Sequence, residues 1–201
     1  SMKIKILIPI YNDWQSADKL INKIDNLVKE INHEFSVVIV NDGSSEIKPD
    51  GFGFSENLHS VQILNIKKNM GHARCIATGL KHIFQNDEFD YIIPMDGDGE
   101  DRPEEIKIFI DNLSYNPDTT IVGERVKRSE GMVFKLSYSI HKLITFIFTG
   151  KSIKFGNYTF LPKKTVEKLI NDKSTWSSFS GALSKLEKNL ATIPSERGVR
   201  Y

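Results

Sequence analysis

Cysteine is almost missing from this sequence: Cys75 is the one thiol in 201 residues. No intramolecular disulfide can form, and a zinc site built on several cysteine sulfurs is excluded. A single cysteine inside a helical pattern reads as a small buried hydrophobe rather than a nucleophile, and it suits a reducing compartment. An excess of charge of either sign is also missing. Lys plus Arg number 27 and Asp plus Glu 26, for a formal net charge of +1. That balance excludes a strongly basic nucleic-acid binder and an acidic solvating tail, so no nucleic-acid partner is expected. Long hydrophobic runs are lacking too. No stretch reaches the roughly 20 apolar residues that span a bilayer. The nearest is 132–149, interrupted by Lys135, His141 and Lys142. The first apolar run stops at Pro9, too short for a signal peptide, and none is expected. Repeats, low-complexity tracts and linkers are absent.

What is present suits a folded domain. Hydrophobic residues make up 39% and charged residues 26%, outside the range of disordered chains. The length fits one α/β domain with a sizeable core. Residues 4–10 read as a buried strand, Ile-Lys-Ile-Leu-Ile-Pro-Ile. A helix capped by Ser16 follows, with Leu20, Ile24, Leu27, Val28 and Ile31 at helical spacing. Further strands are expected at 35–40, 61–66, 91–95 and 120–122, with helices over 71–85 and from Pro103 onward. Residues 46–58 read as a loop. Beyond residue 125 the expectation is a long amphipathic helix over 132–149, a short strand at 158–161, and helices at 165–170 and 178–190. Strands alternating with helices predict a mostly parallel central sheet covered by helices on both faces, a single Rossmann-like domain. Ligands of such sheets sit at the carboxyl ends of the strands. Three of these strands end in segments rich in Asp, Asn and Gly.

The most informative of these ends is Met95-Asp96-Gly97-Asp98-Gly99-Glu100-Asp101. In extended chain, side chains two apart point the same way, so Asp96, Asp98 and Glu100 share a side. Three such carboxylates repel one another unless a cation lies between them. An all-oxygen set suits a hard divalent ion that also takes phosphate oxygens, Mg²⁺ or Mn²⁺. An EF-hand does not fit, because no helix precedes the loop and the bidentate Glu spacing is missing. A solvated acidic turn is the bland alternative. Asp42 follows the second strand, where it reads either as a turn residue or as a hydrogen-bond partner of a base or ribose. Tyr11 and Asp13 follow the first strand, and a Tyr there either flanks a planar base or roofs the core. Arg74 stands in the first turn of the helix that starts near residue 71, where the helix end and a bidentate guanidinium favour an anion. A basic stretch from Arg125 to Lys135 reads as a solvated loop or as a clamp for a second anion.

Taken together these residues resemble the inverting family 2 glycosyltransferases of GT-A fold. Ile8-Pro9-Ile10-Tyr11-Asn12-Asp13 is similar to that family's IPxYNE, and Val40-Asn41-Asp42-Gly43-Ser44-Ser45 to its VDDGSxD. Asn69-x-Gly71-His72, Met95-Asp96-Gly97-Asp98 and Arg102-Pro103-Glu104 follow in the family's order, so the resemblance covers roughly residues 3–135. Within the family the pattern is similar to the polyprenyl-phosphate sugar transferases, dolichol-phosphate mannosyltransferase among them. These carry MDxDLQxPPE at the acidic loop, a GxR with a basic stretch at Gly123 to Lys135, and RxxGxSK at Arg197 to Tyr201. Asn41 replaces the family's first Asp, and Glu100 replaces a Gln that helps to hold the metal. The family's Ser-Gly-Phe-Arg is replaced by Phe155-Gly156-Asn157-Tyr158.

The resemblance implies transfer of a hexose from a UDP- or GDP-sugar to a polyprenyl phosphate, with inversion. It implies metal ligation by Asp98, Glu100 and Asp96, with Asp96 also reaching the ribose. Pro9, Tyr11, Asp13, Asp42 and Arg74 would frame the nucleotide, and Arg125 and Lys135 would bind the acceptor phosphate. A donor-binding half over about 3–125 and an acceptor half over about 126–201 are expected, with a membrane region following in the family. No Asp or Glu occurs between Gly131 and Glu167. A phosphate acceptor is already ionised and needs no general base, whereas a sugar hydroxyl does. Work at the cytoplasmic face of a membrane is expected, with the 132–149 helix either lying on lipid or covering the sheet. Two alternatives stay open: a soluble family 2 enzyme extending a cell-surface glycan, and a non-catalytic sugar-nucleotide binder. The residues do not single out the base, the sugar or an oligomeric state.

Overall fold

The computed structural model describes residues 1–113, 118–126, 145–148 and 154–201. It is a single α/β domain around an eight-stranded sheet of order β3-β2-β1-β4-β7-β5-β8-β6. The strands are β1 (Lys3–Ile10), β2 (Glu34–Asp42), β3 (Ser60–Ile66), β4 (Tyr91–Pro94), β5 (Ile121–Val126), β6 (Thr145–Phe148), β7 (Phe155–Pro162) and β8 (Asn189–Glu196). The helices are α1 (Trp14–Val28), α2 (His72–Asn86), α3 (Ile106–Leu113), α4 (Lys163–Ile170) and α5 (Phe179–Leu186). β1 pairs in parallel with β2 and β4, β2 with β3, and β5 with β8. β7 runs antiparallel to both β4 and β5, and β6 runs antiparallel to β8.

The central strands are apolar on both sides because both sides are covered. Ile4, Ile6, Ile8 and Ile10 of β1 pack with Trp14, Leu20, Ile21 and Ile24 of α1 and Phe109 of α3. Leu7 of the same strand points the other way, into a second core with Ile76, Leu80 and Ile83 of α2, Val166 and Leu169 of α4, and Phe179 of α5. The expected helices on both faces are therefore present. The chain leaves β1 for β2 on one side and returns through β4 on the other. The carboxyl ends of β1 and β4 thus form the switch point at which open α/β sheets hold ligands.

Three expectations need correction. Helix α1 starts at Trp14 with Asp13 in the capping position, not at Ser16. The helix expected over 132–149 does not hold at its end, since Thr145–Phe148 is a strand on β8. Its Thr-Phe-Ile-Phe sequence is β-branched and aromatic and suits a sheet. Residues 132–144 of that expectation lie outside the described residues. The helix expected to run to residue 190 ends at Leu186, and Asn189–Glu196 is a strand instead. Leu183, Leu186 and Leu190 keep helical spacing across that boundary, and Pro194 disguises a strand whose residues 190–193 are buried.

Candidate functional site

The loop after β4 is held from beneath by a buried acid. Asp101 accepts the backbone N–H of Asp96 at 2.8 Å. Burial pushes its carboxyl up to about 8, helped by the neighbouring Asp96 charge. Gly97 sits over β1, where an added Cβ would stand 3.1 Å from Ile8 and 3.2 Å from Ile10. Gly99 has φ +90, a conformation that favours glycine. The loop therefore presents Asp96, Asp98 and Glu100 half-buried at the switch point.

Each of these carboxylates has a partner within the chain. Asn157 Nδ2 of β7 donates to Asp96 Oδ1 at 3.0 Å. Asp98 Oδ1 accepts the N–H of Glu100 at 3.0 Å, and its Oδ2 lies 3.3 Å from Arg200 Nη2. Glu100 Oε2 lies 3.3 Å from Arg197 Nη1. Among the described residues, no three His, Cys, Asp or Glu side chains are gathered as a metal cluster. The donor chemistry nevertheless fits a hard divalent cation: acid oxygens alternate along one short loop. The positive charge this set requires is supplied by the two arginines.

The nucleotide-side residues divide into exposed groups and a buried brace. Pro9 is buried in β1, whereas Tyr11 is 42% exposed and Asp13 is exposed at the start of α1. Asn12, at φ 60, donates its N–H to the Ser44 hydroxyl oxygen (2.9 Å) and accepts the N–H of Glu46 at its side-chain oxygen (2.9 Å). The β1 and β2 ends are thereby tied together. Asp42 is 1% exposed, and its two oxygens accept the N–H groups of Met70 (2.7 Å) and Gly71 (3.0 Å). Its place is beneath the loop that enters α2, and both oxygens serve that loop. Arg74 is exposed on the first turn of α2. Cys75 is buried below, and burial, reinforced by Asp42, pushes its thiol up to about 12. That thiol is inert as a nucleophile at neutral pH.

The second basic group is on the same edge of the sheet. Arg125 is exposed near the end of β5, and its N–H donates to Lys154 O at 3.1 Å. Its guanidinium crosses Gly156 of β7, where an added Cβ would stand 2.4 Å from Nη2. Asn157 of β7 touches the acidic loop and its neighbour Gly156 the arginine, and because successive strand residues point to opposite faces the two groups meet β7 from opposite sides. Arg125 and Lys154 line an open cavity of about 460 Å³ with Phe155, Ser180, Gly181 and Ser184. Lys135 lies outside the described residues. Three contributors were missed from sequence: Asn157, Arg197 and Arg200. The Arg-Gly-x-Arg-Tyr run near residue 200 was the one available signal for the last two.

Comparison with known proteins bears on the family and the fold. The profile described as Glycosyl transferase family 2 matches residues 5–178. A curated relative, undecaprenyl-phosphate 4-deoxy-4-formamido-L-arabinose transferase of Klebsiella pneumoniae (strain 342), is 27% identical over 161 residues. That match takes in 78% of this chain and 46% of the relative, so the chain spans about half the relative's length. Crystal structures share the fold at low identity. A mycobacterial protein superposes with TM-score 0.64 at 12% identity, covering 100% of this chain and 68% of the other. S. aureus TarS 1-349, solved with UDP-GlcNAc, superposes with TM-score 0.63 at 12% identity, covering 100% of this chain and 59% of the other. Both share the fold of this chain, an α/β domain with a mostly parallel sheet flanked by helices. No helix among the described residues is long and apolar enough to cross a membrane.

Proposed function

Since the chain belongs to glycosyl transferase family 2, we propose that it moves a hexose from a nucleoside diphosphate sugar to a polyprenyl phosphate, with inversion and with Mg²⁺ or Mn²⁺. The observation that carries this reading is the acidic loop at the switch point, with Asp96 tied to Asn157 of β7 and Asp98 and Glu100 half-buried beside it. Asp98 and Glu100 would hold a cation that offers positive charge to the diphosphate, and a second anion belongs beside Arg125. The similarity to an undecaprenyl-phosphate transferase supports a polyprenyl phosphate as that second anion. So does the lack of any Asp or Glu between Gly131 and Glu167, because an ionised phosphate needs no general base.

When bound, the cation offsets the charge that develops on the departing diphosphate. Asp98 and Glu100 hold it, and Asp96 holds it or the ribose, oriented by Asn157. Pro9 shapes the floor below the nucleotide, with Tyr11 and Asp13 at its rim. Arg74 faces the base or the diphosphate. Asp42 acts through the 70–71 loop that it braces. Arg125, with Lys135, binds the acceptor phosphate. The rate then comes from positioning and from fixed charges around the reacting phosphates. Because the acceptor is a lipid, the reaction belongs at a membrane surface, and the cytoplasmic face is the one proposed.

The test offers a UDP- or GDP-hexose and Mn²⁺ with either a short-chain polyprenyl phosphate or a free oligosaccharide. The expected product is a polyprenyl-phosphate sugar of inverted anomeric configuration, with one equivalent of UDP or GDP released. A product on the oligosaccharide alone contradicts the acceptor assignment. Donor binding without nucleotide release contradicts catalysis.

A further inference from the structure

Residues 197–201 follow β8 and run back across the acidic loop. Gly198 N–H donates to Glu100 O at 2.7 Å, and Tyr201 N–H donates to Asp98 O at 2.8 Å. The Tyr201 ring lies on Gly99, where an added Cβ would stand 2.6 Å from the ring. Lys23 Nζ lies over the same ring, 4.6 Å from its centroid. These contacts anchor the segment by its backbone and its tyrosine. The arginines are a separate matter. Arg197 and Arg200 side chains are 46% and 71% exposed, yet each ends on one of the two acids assigned to the cation, Glu100 and Asp98.

We propose that Arg197 and Arg200 are built-in counterions of the acidic loop that compete with the divalent cation for Glu100 and Asp98. The proposal rests on the reading of those acids as cation ligands. A guanidinium on the carboxylate takes one of its lone pairs and sets a like charge beside the others, so the cation binds more weakly while the arginine stays. The exchange is local, because the backbone bonds from Gly198 and Tyr201 do not involve the guanidiniums. Space for the displaced side chains is present in an adjoining cavity of about 400 Å³, lined in part by Arg102, Arg197 and Arg200. In the cation-free protein the arginines keep the acids from repelling one another. They also raise the cation concentration needed to fill the site.

The competition is measured as Mn²⁺ affinity by electron paramagnetic resonance, without any turnover. The variants are the double substitution Arg197→Gln with Arg200→Gln, the conservative Arg200→Lys, and Asp98→Asn in each background. Exposed ion pairs are individually weak, so the double variant is expected to bind Mn²⁺ about tenfold more tightly. Arg200→Lys keeps the charge and is expected within about twofold of the parent. The difference shrinks at high salt. Asp98→Asn abolishes binding in both backgrounds. A double variant with unchanged or weaker affinity overturns the competition while leaving the cation site in place. Absence of Asp98-dependent Mn²⁺ binding in parent and double variant alike overturns the cation reading, and the competition with it.

Discussion

Asp42 shows how a residue chosen for its chemistry turns out to act through its neighbours. Its buried carboxylate satisfies the backbone donors of Met70 and Gly71. Replacement by Ala leaves both N–H groups unpaired. The expected loss of stability is about 3 kcal/mol, read as a shift in the urea midpoint at unchanged slope. A loss below about 0.5 kcal/mol contradicts the brace. Asp98 differs, because it is partly exposed and its partners are an arginine and the loop itself. Asp98→Asn is expected to lower cation affinity by about 100-fold or more with little change in stability, measured by metal titration and thermal unfolding side by side. Unchanged affinity removes Asp98 from the cation site. The acidic loop was legible in sequence because its members are neighbours along the chain. Asn157 and Arg200 were not, because they arrive from 61 and 102 residues away, and only the packing of β7 and the return of the last segment bring them there.

Among the elements, β1, β2 and β4 were readable from their continuous Ile, Val and Leu runs, which both covered faces demand. β6 and β8 were not readable. Each carries a pattern that fits helix and strand equally, and pairing with a distant strand decides between them. The turn after β2 is held by Gly43 at φ +66, where an added Cβ would stand 2.7 Å from the backbone N of Asn69. Gly43→Ala is expected to cost about 1–3 kcal/mol and to weaken nucleotide binding by moving the loop that leads into the helix of Arg74. A variant as stable as the parent contradicts the close approach. At the junction of β8 with the short 3₁₀ turn Pro103–Glu105, Glu105 accepts the Ser195 hydroxyl and the Glu196 N–H, the latter at 3.0 Å. Burial pushes its carboxyl up to about 7 despite these bonds. The folded chain therefore binds this proton more tightly than the unfolded chain does. Stability from this group is full below about pH 4 and is lost as pH rises to about 7, a total of about 3 kcal/mol. Asp101 adds a slope of the same sign. Glu105→Gln keeps a carbonyl for the Glu196 N–H and an amide for Ser195, and flattens the pH dependence of the urea midpoint between pH 5 and 8. Equal slopes in parent and variant contradict the assignment.

For the molecule as a whole, one sheet edge carries both halves of the proposed reaction. The β1 and β4 ends carry the residues proposed for the nucleotide and the cation, Arg125 stands near the end of β5, and residues 197–201 run back over the acidic loop. Near-neutral net charge leaves this edge as a local field rather than a property of the whole surface. Its central claim is a nucleotide site completed by a cation on the acidic loop. The direct measurement is the thermal unfolding midpoint with UDP or GDP, each with and without Mn²⁺, in the parent and in Asp98→Asn. A ligand at about 100 times its Kd adds about 2.7 kcal/mol, which for a domain of this size is a rise of roughly 5–10 °C. The expected result is such a rise with one nucleotide, dependent on Mn²⁺ and lost in Asp98→Asn. A midpoint unmoved by either nucleotide, or moved equally without Mn²⁺ and in Asp98→Asn, contradicts the account.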